Sequence, residues 1–162
     1  MDLLAYRPAD ESDARSLSGL AQRALRPHTL PGWTSSAVER LLRENSEQAL
    51  RDYLEDATFA YVCVEAASRV GFITSKVPGL LSLLVVDPSR QRRGIGSHLV
   101  NLMLEHVAEV APELGVVEVN ATEYSLPFYQ RLGFFPISDF IEFEGCRFAR
   151  LAVWRKNPLL RR

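Results

Sequence analysis

The chain has 162 residues, 47% of them apolar, and a net charge of -1, which suits one domain over residues 1–162 built on one core. So even a charge balance removes the electrostatic case for nucleic acid or an anionic membrane as partner, and no apolar run approaches the roughly 20 residues of a membrane-spanning helix. Two cysteines, Cys63 and Cys146, are too few for a disulfide framework, and neither has a His or Cys at ligand spacing, so no metal is expected. The first seven residues lack the basic and then apolar regions of a signal peptide, which points to a cytoplasmic protein.

Residues 3–7 read as a short first strand. Asp10 is placed to cap a helix over 11–25, with Leu17, Leu20, Ala21 and Ala24 on its apolar side and Pro27 ending it. Pro27, Pro31 and Gly32 mark 26–34 as loop. Ser36 with Glu39 three residues later forms a capping-box pattern, opening a helical region that restarts near Ser46 and runs to Leu54. Alternation predicts strands over 59–65 and 70–76, joined by a loose turn at 66–69. Residues 80–86 are nearly all apolar, which predicts a strand at the centre of the sheet. Leu99, Leu102, Met103, Val107 and Val110 recur at helical spacing over 97–111, and Pro112 stops that helix. A fifth strand spans 116–120, a short helix 126–132 is closed by Gly133, and strands over 137–144 and 147–155 meet at Gly145. The elements run β-α-α-β-β-β-α-β-α-β-β, a mixed α/β chain.

The most informative run is Gln91-Arg92-Arg93-Gly94-Ile95-Gly96, between the Asp87-Pro88 break and the helix that opens at Ser97. The first N–H groups of a helix have no partner within it, and its dipole adds partial positive charge at that end. Gly94 and Gly96 let the backbone come close to a ligand. Arg92 and Arg93 add forked donors suited to phosphate oxygens. The physical reading is a pyrophosphate cradle. A Walker loop is excluded, because no Gly-Lys-Ser/Thr follows the glycines. The dinucleotide fingerprint fits poorly, because Leu99 stands where its third glycine belongs and the loop lies past the middle of the chain.

This run resembles the Q/R-x-x-G-x-G/A motif of the GNAT acetyltransferase superfamily, which binds the pyrophosphate of acetyl-CoA. A second stretch, Ser125-Leu126-Pro127-Phe128-Tyr129-Gln130-Arg131-Leu132-Gly133-Phe134, is similar to that family's late helix and the turn after it. The two motifs stand in the family's order, separated by one helix and one strand, and the element order is that of the GNAT fold over nearly the whole chain. The resemblance implies a central, mostly antiparallel sheet of about seven strands flanked by four helices. It implies acetyl-CoA as donor, a primary amine of a small molecule as acceptor, direct attack in a ternary complex, and no metal. A homodimer through last-strand exchange or a sheet edge is an arrangement open to such a fold.

By the same resemblance, the main chain of Leu84, Val85 and Val86 pairs with the pantetheine arm and donates to the thioester oxyanion. Gln91, Arg92, Arg93, Gly94, Ile95, Gly96 and Ser97 hold the pyrophosphate. Tyr129 matches the tyrosine that protonates the departing thiolate, a role a phenol with a pKa of about 10 can fill; from the residues alone it reads as a packing aromatic, and the motif around it favours the acid role. Asn120 stands where some members have an asparagine on the cofactor, and Ser125 is either a second cofactor contact or a helix cap. Thr122 replaces an asparagine common seven residues before the tyrosine. Residues 80–86 lack the glutamate that many members carry as base, and Glu118 on the next strand, sharing a face with Asn120, is the alternative. The imidazoles of His28, His98 and His106 are further candidates. Trp33, Tyr53, Phe140, Phe143 and Phe148, with Asp139, Glu142 and Glu144, are expected around the acceptor and would suit a cationic amine. Two other readings stay open. One is a CoA-binding sensor without turnover, supported by the missing glutamate, and the other an N-terminal acetyltransferase acting on peptides, supported by Glu118.

Overall fold

In the computed structural model, which describes residues 3–154, the alternating strands of the first half form one antiparallel sheet. Its order is β1 (Leu4–Pro8), β2 (Ala60–Glu65), β3 (Ser68–Thr74) and β5 (Leu83–Val86). The turn at Ala66 is tighter than expected, with Ala66 at a φ of 53°. α1 (Ala14–Ala24) and α3 (Glu47–Glu55) cover one face, where Leu17, Leu20, Leu50 and Leu54 pack on Val62, Phe72 and Val85. α4 (Ile95–Val110) covers the other through Ile95, Leu99, Met103 and Val107. A second sheet holds β4 (Leu80–Leu81), β6 (Val116–Ala121), β9 (Cys146–Trp154) and β7 (Phe135–Pro136), with β8 (Ile141–Phe143) also on β9. Cys63, on β2, is fully buried.

Four local expectations are corrected. The helical region after Trp33 restarts at Ser46 as expected, giving α2 (Ser35–Glu44) and α3, but the total differs: five helices flank the sheets among the described residues rather than four. The cap of α2 is Thr34, whose extended backbone lets its hydroxyl accept from the Ala37 N–H at 3.2 Å, not Ser36. The strand expected over 137–144 survives only as β8, because Ser138 turns its hydroxyl inward to accept from the Arg150 N–H at 3.0 Å and interrupts the ladder. The last strand is described to Trp154, and its expected end at Arg155 lies outside the described residues.

The fourth correction sets the site. The apolar run 80–86 is not one strand but two, broken at Ser82. β4 runs parallel to β6, with Leu80 opposite Glu118 and Leu81 opposite Val119. After Ser82 the chain leaves β6 and joins β3, pairing Leu83 with Thr74 and Val86 with Gly71. The break is held by hydrogen bonds: the Ser82 N–H donates to Thr74 O at 3.0 Å, and the Ser82 hydroxyl accepts from the Lys76 N–H at 2.9 Å. β5 and β6 therefore splay apart toward their C-terminal ends, and the edge of β5 away from β3 faces the wedge between them.

Asp13, with no exposed surface, ties the start of α1 to the first sheet. Its carboxylate accepts two bonds from Arg7 at 2.8 Å, one from Arg69 Nε at 2.8 Å and one from the Asp10 N–H at 3.0 Å. Burial raises the Asp13 pKa, but the bonds from Arg7, the Asp10 amide and Arg69 outweigh it and bring the group down from 3.8 to about 2. The stabilisation is thus complete above pH 4 and is lost as pH falls through about 2. Asp13→Asn is expected to cost roughly 3 kcal/mol near pH 6, where it strands two guanidiniums. Thermal melts should show that gap from the native chain closing toward pH 2, whereas a pH-independent gap would assign the loss to packing.

Candidate active site

The glycine run becomes the turn into α4. Asp87 caps the short 3-10 turn Pro88–Arg90 by accepting from the Ser89 N–H at 2.9 Å. Arg92 and Gly94 both take positive φ, 62° and 79°, which swings the chain into the helix. The first bond of α4 runs from the His98 N–H to Gly94 O at 3.0 Å, so the amides of Ile95, Gly96 and Ser97 precede the ladder. A Cβ built on Gly94 would meet no heavy atom within 4 Å, so the space before those amides is open. One on Gly96 would come within 3.1 Å of the Phe128 ring, so only glycine lets α5 (Leu126–Arg131) approach α4 this closely. Gly71 plays the matching part on the sheet, where a Cβ would lie 2.9 Å from Ile95 Cγ2.

In front of this turn lies a cleft of about 450 Å³. Leu84 and Val86 of β5, the loop residues Arg90, Gln91, Arg92 and Gly94, the α4 residues Ile95, Gly96 and Ser97, and one side of α5 line it. No carboxylate lines it among the described residues, and Arg90, Arg92 and Arg131 bring positive charge. These groups fit an anionic, phosphate-bearing ligand.

A second cleft of about 320 Å³ lies in the wedge. Leu25, Thr29, Leu30, Trp33 and Leu41 form one wall, Leu81 to Val86 a second, and Val119, Asn120, Thr122, Cys146 and Phe148 a third. Six residues line both clefts: Leu84, Val86, Gln91, Tyr124, Ser125 and Tyr129. Tyr129 is 5% exposed, and burial pushes its phenol above the ordinary value of 10. The turn before α5 is locked reciprocally: the Ser125 N–H donates to Thr122 Oγ1 at 3.2 Å, and the Thr122 N–H donates to Ser125 Oγ at 3.0 Å. The Thr122 hydroxyl also donates to Thr29 O at 3.1 Å, fastening the loop after α1 to this turn.

Most sequence-derived candidates converge here, with corrections. Arg93 does not line the larger cleft; its guanidinium sits 2.7 Å from Glu65, which also accepts from Arg90 Nε at 2.5 Å. Val85 is buried against α1 and α3, and it lines the smaller cleft only. Asn120 likewise belongs to the smaller cleft. Glu118 shares its face but lines neither cleft, and its carboxylate accepts from Arg150 Nη2 at 3.0 Å. Ser125 makes no side-chain cap bond into α5, since its hydroxyl is taken by Thr122.

None of the three histidines lines a cleft. His98 stacks on Tyr6, His106 on Phe59, and His28 meets Tyr124 edge-on at 6.0 Å. Of the expected acceptor residues only Trp33 and Phe148 arrive. Tyr53 lies with its hydroxyl 2.6 Å from Phe59 O, Phe140 lies under Arg147, Phe143 is exposed, and Glu142 pairs with Arg147. The missed residues Tyr124, Pro127, Phe128 and Arg131 all line the larger cleft. Pro127, Phe128 and Arg131 share one face of α5, a spacing readable from the sequence, whereas Tyr124 comes from the turn before the helix.

Among the described residues no cluster of His, Cys, Asp and Glu could hold a metal, and no helix is long and apolar enough to cross a membrane. The family model of the acetyltransferase (GNAT) domain matches residues 29–153. Comparison with curated proteins gave no match. A GCN5-related N-acetyltransferase from Rhodopseudomonas palustris is similar in structure, with a TM-score of 0.77 and 19% identity over 95% of this chain and 97% of that one. The PaiA N-acetyltransferase of Thermoplasma acidophilum, solved with coenzyme A, gives 0.74 at 15% identity over 94% and 99%. The ribosomal-protein-S18-alanine N-acetyltransferase of Escherichia coli gives 0.66 at 15% over 96% and 96%. With the wedge, the glycine turn and the tyrosine between two clefts in place, the family match is decisive: the chain belongs to the GNAT acetyltransferases.

Gly71→Ala tests how the turn is positioned. The added methyl is expected to force the first turn of α4 off the sheet and cost about 1–3 kcal/mol in urea denaturation. An undiminished midpoint would show that Ile95 repacks without strain.

Proposed function

We propose that this chain transfers an acetyl group from acetyl-CoA to the primary amine of a small molecule, by direct attack within a ternary complex. The observation that carries this reading is that Tyr129 lines both clefts at once. The larger cleft offers what a CoA donor needs: the amides of Ile95, Gly96 and Ser97 with Arg92 for pyrophosphate, and the free edge of β5 for the pantetheine arm. The CoA bound by the Thermoplasma neighbour supports that assignment. The amine then occupies the smaller cleft, and a backbone N–H on the β5 edge faces the oxyanion.

The raised pKa of Tyr129 defines its part. A thiol ionises near 8.5, well below this phenol. Tyr129 therefore stays neutral and donates a hydrogen bond to the departing sulfur, and the proton that ends on sulfur is one released by the attacking amine. The nitrogen–carbon bond forms as the carbon–sulfur bond breaks, leaving an amide and free CoA.

A second reading, a CoA-binding sensor without turnover, draws on the lack of a carboxylate among the described residues lining either cleft. Release of free CoA in the presence of amines separates the two. Tyr129→Phe is expected to lower kcat by roughly 10²-fold, in the range of one lost hydrogen-bond donor to developing charge, with KM for acetyl-CoA little changed; an unaltered kcat would return Tyr129 to packing. In steady-state assays Arg92→Ala should raise KM for acetyl-CoA about tenfold, the effect of one charge-assisted contact. Arg93→Ala should raise it less, because Glu65 already holds that guanidinium. Equal effects would mean that Arg93 leaves Glu65 for the ligand.

A further inference from the structure

Resting on the acetyltransferase reading, we propose that the acceptor is an amine on a small, apolar, uncharged body, an alkylamine or arylalkylamine, and not a polyamine, an aminosugar or a basic peptide. The smaller cleft has no Asp, Glu, Lys or Arg among the described residues that line it. Its wall is instead Leu25, Leu30, Trp33, Leu41, Leu83 and Phe148. A second cation on the substrate would enter this wall with no counter-charge, and an unpaired buried charge is strongly disfavoured.

The polar groups of the wall are mostly occupied by the protein. Trp33 Nε1 donates to Arg147 O at 3.0 Å, the Thr122 hydroxyl to Thr29 O, and the Ser82 hydroxyl accepts from the Lys76 N–H. They are poorly placed to replace the water around a polyhydroxylated or polycationic ligand. Beyond the lining, Arg40 reaches Cys146 Sγ at 3.4 Å, and Arg147 beside Phe148 holds Glu123 at 3.0 Å and Glu142 at 3.6 Å. Those two carboxylates are thus already paired with a guanidinium. The volume, about 320 Å³, is at the low end for a small-molecule cleft and too small for a folded partner's surface.

The same walls bear on the missing base. An apolar cleft favours the uncharged form of an amine over its ammonium. The protein selects the neutral nucleophile by excluding the charged one, with no carboxylate needed to take its proton before binding.

The test compares hexylamine with hexane-1,6-diamine, which share a six-carbon chain and differ by one terminal cation. CoA release with acetyl-CoA should favour hexylamine by at least tenfold in kcat/KM, and butylamine to hexylamine should gain about fourfold per methylene. Leu41→Glu, which puts a carboxylate in the wall, should narrow or reverse the preference. Faster turnover of the diamine by the native chain would overturn the acceptor inference and leave acetyl transfer standing. Were neither amine turned over, acetyl transfer itself would fail. Calorimetry on the CoA-saturated protein would then decide the cleft: tighter binding of N-hexylacetamide than of its 6-amino analogue sustains the inference, and equal or reversed affinities overturn it.

Discussion

The break at Ser82 is the constraint on which the rest of the site depends. A continuous strand over 80–86 would pair with β6 along its length, and the sheet would close. Two hydrogen bonds with the chain before it, the Ser82 N–H donating to the Thr74 carbonyl and the Lys76 N–H donating to the Ser82 hydroxyl, turn the chain to β3 instead. The result is an opening at the C-terminal ends of two strands that start side by side and parallel, where ligands gather in α/β sheets. The groups that line the clefts then collect along its borders: the free edge of β5, Asn120 on β6, and Tyr129 in the middle of α5.

Charge around the opening is arranged by pairing. Glu65 sits at the end of β2 and takes both Arg90 and Arg93, and those two guanidiniums hold its carboxyl below the ordinary range. Pairing two of the three loop arginines steadies the turn while leaving Arg92, at positive φ, directed to the larger cleft. The pairing of Glu118 with Arg150 works the other way, removing a carboxylate from the smaller cleft. One cleft is left cationic and the other without charge.

Much of this was legible in the sequence, and the parts that were not share a cause. The glycine turn, the order of elements and Tyr129 were readable because local spacing fixes them: Gly94 must take positive φ, and Gly96 must admit Phe128. The caps at Asp10 and Ser46 were equally local. What stayed hidden was anything set by a distant partner. The pairing of Arg93 with a glutamate 28 positions earlier leaves no local mark. Nor does that of Glu118 with Arg150 of β9, the strand beside β6 in the ladder but the third after it in the chain. The break at Ser82 was hidden because an unbroken apolar run reads as one strand, and only the serine in its midst hinted otherwise. Tyr53, Phe140 and Phe143 carried no positional signal that separated cleft from scaffold.

The two clefts are lined unequally by the chain. Residues 24–41 and 146–148 reach only the smaller one, while the glycine turn and α5 carry the larger. The outer wall can therefore accumulate substitutions over evolutionary time without disturbing the glycine turn. Neighbours keep this fold at 15–19% identity. Selection can reshape the smaller cleft by editing two surface-bordering segments, and the cleft on the far side of Tyr129 need not be rebuilt each time.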